Sequence, residues 1–473
     1  MLARILASAC VLMLATALPV MEVRAQVPTP TVSPDPLPDV PPTPSGQDPF
    51  PFFDDYSWRS FIALNWPTLR GAENRGLPDR TKAFGDIAGP RVWNNWKSRY
   101  EVFQPKGVAP SAWNSYDGAN PCGPGFRNDI PTLSAFTAFG DFNQAVFSLD
   151  KVGNPLVAQN RNYARYEVRI NRPEFDSIVG NKWYIAANLP THDKPVPFNL
   201  GSTEIKAAWR ILTDKDTPAI RARYYVRNAQ VFDVAAGKCL PRDVALVGFH
   251  IVTKTPNRKQ WIWSSFEHVD NVPGVGTGGS KEPAPPPGIP FSFNDPAKPQ
   301  ALDPPSRPPP VSPANPPKAD PDPMQVIRKL PILPSTMKTN QAYWALPEIR
   351  DTVWRNYMLV MTQWPTTDQP EAPDNDGAPF PTSGSILGNT TMETYFQFDG
   401  GSCMVCHDIS NRQGRDFVMF ATFDAFRPGI AAPAESFEAK NVAGELAAGP
   451  AASLAADPML EALSDFFEAT ENR

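Results

Sequence analysis

Two proline tracts limit what this chain can fold into. Pro28 to Pro51 holds ten prolines in 24 residues, and Pro283 to Pro323 holds 17 in 41. Proline fixes φ and lacks a backbone N–H, so neither tract can run through a helix interior or a central strand. The leader at 26–51 is expected to be semi-extended and solvent-exposed, and 283–323 to be a disordered insert or linker. The two tracts take 27 of the chain's 57 prolines, so a core must come from roughly 52–282 and 324–473. The 12 Trp, 28 Phe and 11 Tyr of the whole chain supply the apolar surface that disordered chains lack.

Within 52–282, Tyr56 to Trp66 and Arg91 to Phe103 carry aromatic residues at helical spacing. Their tryptophans read first as a core stripe and only second as a ligand-binding or electron-transfer wall. From about residue 144 the pattern changes to period two, in YARYEVRIN, EIKAAWRIL, AIRARYYVRNAQVFDV, ALVGFHIVTKT and KQWIWSSFEHV. In the last of these, Trp261, Trp263 and Ser265 should face one way and Ile262, Ser264, Phe266 and His268 the other. After the second tract, Asn340–Leu346 and Asp351–Gln363 read as helices, and Met459 and Leu460 fall on a further helical candidate near the end. The expected fold class is α+β, a sheet-rich N-terminal body with flanking helices followed by a mainly helical C-terminal region at 324–473. Whether the second tract links two domains or loops out of one body stays open at this level.

The first 25 residues have a positive Arg4, an apolar stretch from Ile5 to Val20 and small residues before Gln26. This is the pattern of an export signal cleaved after Ala25, and the stretch is too short for a spanning helix. No later segment is long and apolar enough to span a bilayer. Lys and Arg total 44 against 49 Asp and Glu, a net of −5 with no concentrated basic run, which argues against nucleic acid as a partner.

Export changes how the five cysteines read, because Cys10 leaves with the signal. Cys122 and Cys239 lie in turn-like sequence and form the expected disulfide of an oxidising compartment. Cys403 and Cys406 sit in Cys-Met-Val-Cys-His, which ends at His407. This is the c-type haem attachment pattern: the two thiols add to the porphyrin vinyl groups and the histidine becomes an iron ligand. A thioredoxin-like dithiol fits less well, since Gly-Gly-Ser rather than a βα unit precedes Cys403. Half of a zinc site would lack a second pair of soft ligands nearby. One motif implies one covalent haem c. The presence of only four histidines in the chain argues against several bis-histidine haems. The sixth iron ligand is open among Met459, Met392, Met419, His250 and His268, and the position can also be vacant.

The segments SWRSFIALNWP, IKAAWRIL, GFHIVTKT, WIWSSFEHVDNVP and NTTMETYFQ leading to SCMVCH are scattered over most of the mature chain. In these the chain resembles exported bacterial cytochrome c family proteins, with a long N-terminal body before a C-terminal haem motif. The resemblance implies a monohaem periplasmic protein in which Cys403, Cys406 and His407 bind the cofactor, and it implies no particular substrate. The leading expectation is periplasmic electron transfer to or from a redox partner protein. The alternatives are a haem-dependent oxidoreductase acting on a small molecule, and a haem sensor or subunit of a redox complex. Whether the protein is an enzyme is therefore open.

Overall fold

The computed structural model describes residues 28–133, 154–274, 282–304, 311, 315–364, 388–397, 403–419, 421 and 424–428. The expected signal, Met459 and the alanine-rich tail lie outside these residues. The elements run α1 (Phe50–Leu64), β1 (Lys97–Ser98), α2 (Arg99–Val102), β2 (Thr132–Leu133), β3 (Arg165–Ile170), α3 (Arg172–Asn181), β4 (Thr203–Ile211), α4 (Pro218–Arg221) and β5 (Val226–Asp233). They continue with β6 (Lys238–Thr255), β7 (Arg258–His268), α5 (Pro334–Trp344), α6 (Pro347–Arg350), β8 (Tyr357–Gln363) and α7 (Cys403–Arg412).

One curled sheet of eight strands organises the body. Its axis is β6, an 18-residue strand. One edge of β6 pairs with β4; the other pairs with β5 along its first half and with β7 along its second. β3 and β1 extend the β4 side, β2 adds to β5, and β8 adds to β7. All pairings are antiparallel except β2 with β5. The strands expected from period-two patterning fall where β3, β4, β6 and β7 form.

The two faces of the β4–β6–β7 sheet carry different cargo. Ile205, Ala207, Trp209, Phe249, Ile251 and Phe266 turn toward α1, whose Phe61 ring stacks 4.4 Å from that of Phe266. Pro51 opens α1 without loss, since a first-turn N–H has no helical partner. Ser57 then ties the helix to the sheet through 2.7 Å hydrogen bonds with Ser264 and Thr362. Trp58 stacks on Tyr343 of α5 at 5.0 Å. The tryptophans are thus core residues: Trp58, Trp93, Trp209, Trp261 and Trp354 are all fully buried. The opposite face carries Lys206, Gly248, His250, Val252, Trp263, Ser265 and Glu267, following the register.

Two expectations are corrected. Asp351–Gln363 is not a helix: Val353–Asn356 forms a 3-10 turn and 357–363 is β8. Every residue of β8 is buried, and a strand buried on both faces loses the alternation that distinguishes it from a helix. Arg91–Phe103 breaks into a 3-10 turn, β1 and α2, because Lys97 and Ser98 pair with Ile170 and Arg169. Within the proline tracts, isolated residues reach the body while many others stay exposed. Val40 joins Phe52, Phe53 and Trp364 in a small cluster, and Phe293 is fully buried with its carbonyl accepting from Val326 N. Isolated apolar residues between prolines anchor each tract, while proline's missing donors keep it out of the sheet.

The expected disulfide is present, joining Cys122 to Cys239 at the start of β6 with Cα atoms 5.6 Å apart. Among the described residues no helix is long and apolar enough to cross a membrane.

Candidate functional site

The residues with the most distinctive chemistry gather on the sheet face turned away from α1. The segment 388–397 is laid onto that face first. Gly248 of β6 makes this close approach possible, because a Cβ there would stand 2.1 Å from Thr391 Oγ1. Asn389 donates to Ser265 Oγ at 3.1 Å and to the Phe266 carbonyl at 2.9 Å. Thr390 donates its N–H to Glu267 Oε2 at 2.8 Å, and Tyr166 donates to the Thr391 carbonyl at 2.8 Å. Glu267 in turn pairs with Arg328, which also holds Glu282 at 2.9 Å and is itself fully buried. Buried charges are tolerated only when paired in this way.

Cys403, Cys406 and His407 all lie on α7, with the two cysteines three positions apart in sequence. The Cys403 N–H donates to Gln363 Oε1 of β8 at 2.9 Å. The helix ends in a turn with Gly414 at φ +81°, and Ser410 Oγ donates to the Val418 carbonyl at 2.6 Å. This turn brings the chain back so that the Phe417 carbonyl faces His407 Nδ1 at 2.8 Å. A carbonyl can only accept, so Nδ1 carries the proton and Nε2 carries the lone pair. The imidazole also packs edge-on against Trp263, with ring centroids 4.5 Å apart. Burial pushes the His407 pKa down to about 4; the bond to Phe417 opposes the shift, and Lys206 and His250 add to it.

The Phe417 carbonyl is itself held in place. Asp416 and Phe417 both adopt left-handed φ values, 49° and 64°, which cost energy in residues with a side chain. Asp416 is fixed by Lys254 Nζ at 2.8 Å, by the Phe198 N–H at 2.8 Å and by Trp261 Nε1 at 3.2 Å. Burial pushes the Asp416 pKa up to about 6 against the pull of Lys254. Trp261 has φ 72°, a strained value for a bulky residue inside a strand. The strain is concentrated where the histidine's partner is positioned.

His250 projects from the same face. It pairs with Lys206 of β4 and Ser265 of β7, and its side chain is 13 % exposed. Its Nε2 is buried and makes no hydrogen bond; Glu393 Oε2 stands 3.6 Å away. Glu393 also accepts the Asn389 N–H at 3.2 Å. Burial lowers the Lys206 pKa to about 8.

The remaining candidates divide clearly. His268 has both ring nitrogens engaged, with the Arg223 carbonyl at 3.0 Å and the Asp270 N–H at 3.1 Å. Its ring stacks on Tyr224 at 3.9 Å, and burial pushes its pKa down to about 4. It is a structural histidine. Met392 is buried in the cluster formed with Tyr166, Ala208 and Val247, and Met419 is half-buried beyond the α7 turn. Sequence reasoning missed Phe417, Asp416, Glu393 and Lys206. Only Lys206 and Glu393, charged residues inside otherwise apolar or polar-neutral patterns, left any signal. Among the described residues no cluster of three or more His, Cys, Asp or Glu is arranged to hold a metal ion unaided. Compared with known protein families, curated proteins and solved structures, the chain matches none.

Proposed function

We propose that this chain is an exported monohaem c-type cytochrome that carries electrons in the periplasm to or from a redox partner protein. The observation that carries this reading is the 2.8 Å contact between His407 Nδ1 and the Phe417 carbonyl, directly after a Cys-x-x-Cys pair. It presets the tautomer and the orientation a metal-ligating histidine needs, as outer-shell carbonyls do in metal sites. The donor set fits haem c: Cys403 and Cys406 for two thioether bonds and His407 Nε2 for the iron. Bound there, haem c supplies a reversible one-electron iron couple whose potential depends on its ligands and burial.

The protein's own contribution is positional. Phe417 fixes the tautomer of His407, and Trp263 limits rotation of its ring. Lys254, Trp261 and Asp416 hold the turn that supplies the carbonyl. A rigid site of this kind suits electron transfer, which requires little rearrangement between oxidation states. Of the helical character expected of the haem region, the described residues show α7.

The test is expression of the full chain in a host with an active cytochrome c maturation system. The chain should stain for haem on a denaturing gel, and Cys403→Ala with Cys406→Ala should abolish the stain. Haem that stays covalently bound in the double variant, or a wild-type chain that never acquires it, would sink the proposal.

A further inference from the structure

We infer that His250 supplies the second protein ligand to the iron, opposite His407; this rests on the haem reading above. Placement comes first. Val252 pairs with Trp263 and His250 with Ser265, so His250 and Trp263 are diagonal neighbours on one sheet face. Such neighbours lie within reach of one another's side chains. The Trp263 ring is the one that touches His407. His250 and His407, from distant parts of the chain, are therefore both neighbours of Trp263.

The second observation is the unsatisfied nitrogen. His250 Nε2 is buried without a hydrogen bond, and its nearest charged neighbour, Glu393, stands at 3.6 Å. An unmade hydrogen bond at a buried polar atom is costly, so such an atom calls for a partner of another kind. His250 also sits on β6 where both edges of the strand are paired, a rigid support that suits a metal ligand. Among the described competing donors, two are engaged elsewhere. His268 uses both nitrogens, and Met404 is packed into the main apolar core at 1 % exposure. Met392 is buried in the second apolar cluster, its Cε 3.5 Å from where a Cβ on Gly248 would stand.

The experiment uses the haem-loaded full chain and reads optical and electron paramagnetic resonance spectra. The oxidised wild type should be low-spin and lack the methionine–iron charge-transfer band at the red end of the visible spectrum. His250→Ala should lose the low-spin signature, bind CO on reduction, and return to low-spin when imidazole is added. His250→Met, which keeps a ligating side chain on the strand, should gain the methionine band. A methionine band in the wild type, or an unchanged low-spin spectrum in His250→Ala, overturns His250 as ligand while leaving the haem reading intact. High-spin wild-type iron also overturns it and would make His250 and Glu393 a distal pair beside an open position. A wild-type chain without covalent haem overturns both readings.

Discussion

At the residue scale the molecule concentrates its buried charge where elements must be locked together. Arg328, Glu267 and Glu282 tie the segment before α7 to the sheet, and Lys254 with Asp416 does the same for the turn after it. Asp54 on α1 is a different case: fully buried, it accepts one hydrogen bond from Thr362 at 2.8 Å and leaves its other oxygen without a partner. Burial raises its pKa from 3.8 to about 7. The fold thus disfavours ionised Asp54, so its contribution to stability is most favourable below the unfolded value and is lost as pH rises through the folded one. Asp54→Asn, which cannot ionise, should gain thermal stability relative to the wild type at about pH 8.5 but not at about pH 4. A melting-temperature difference that does not change between these conditions would refute the assignment. The helical spacing legible in the sequence begins at Tyr56, so only the structure places Asp54 on α1 and aims it at β8.

At the element scale, the strands that alternate were legible and those that do not were misread. β7 reads directly because it separates Trp263 and Ser265 from Ile262, Ser264 and Phe266. β8 was taken for a helix because its buried run contains spacings that suit either period. Helix α7 and the carbonyl that orients His407 differ in the same way: the attachment spacing is local, whereas the choice of Phe417 depends on how the turn after Gly414 closes. The disulfide belongs to this scale too, since it pins the loop before β2 to the first half of β6. Its cysteines are 117 residues apart, and closing so long a loop restricts the unfolded chain strongly. Replacing both by serine should lower unfolding free energy by about 3–5 kcal/mol in denaturant titration. A loss well under 1 kcal/mol would show that the bridge holds little beyond what the sheet already fixes.

At the scale of the whole molecule, β8 joins a sheet whose other strands all precede the second proline tract, and α5 packs beneath α1. Residues 28–282 alone would leave the β7 edge open and the Trp58 face of α1 uncovered. That fragment should aggregate or lack dispersed NMR signals, and co-expression with 324–473 should restore solubility. A fragment that unfolds cooperatively by itself would show that the strand from the far side of the tract is dispensable. The division is a physical one. Turn chemistry, alternation, cysteine pairing and the Cys-x-x-Cys-His spacing depend on near neighbours or on elimination within a small set, so they could be read along the chain. The strand identity of β8 and the anchoring of the proline tracts through Val40 and Phe293 depend on contacts between residues far apart in sequence. Those contacts exist only once the sheet has closed, and tertiary structure alone decided them.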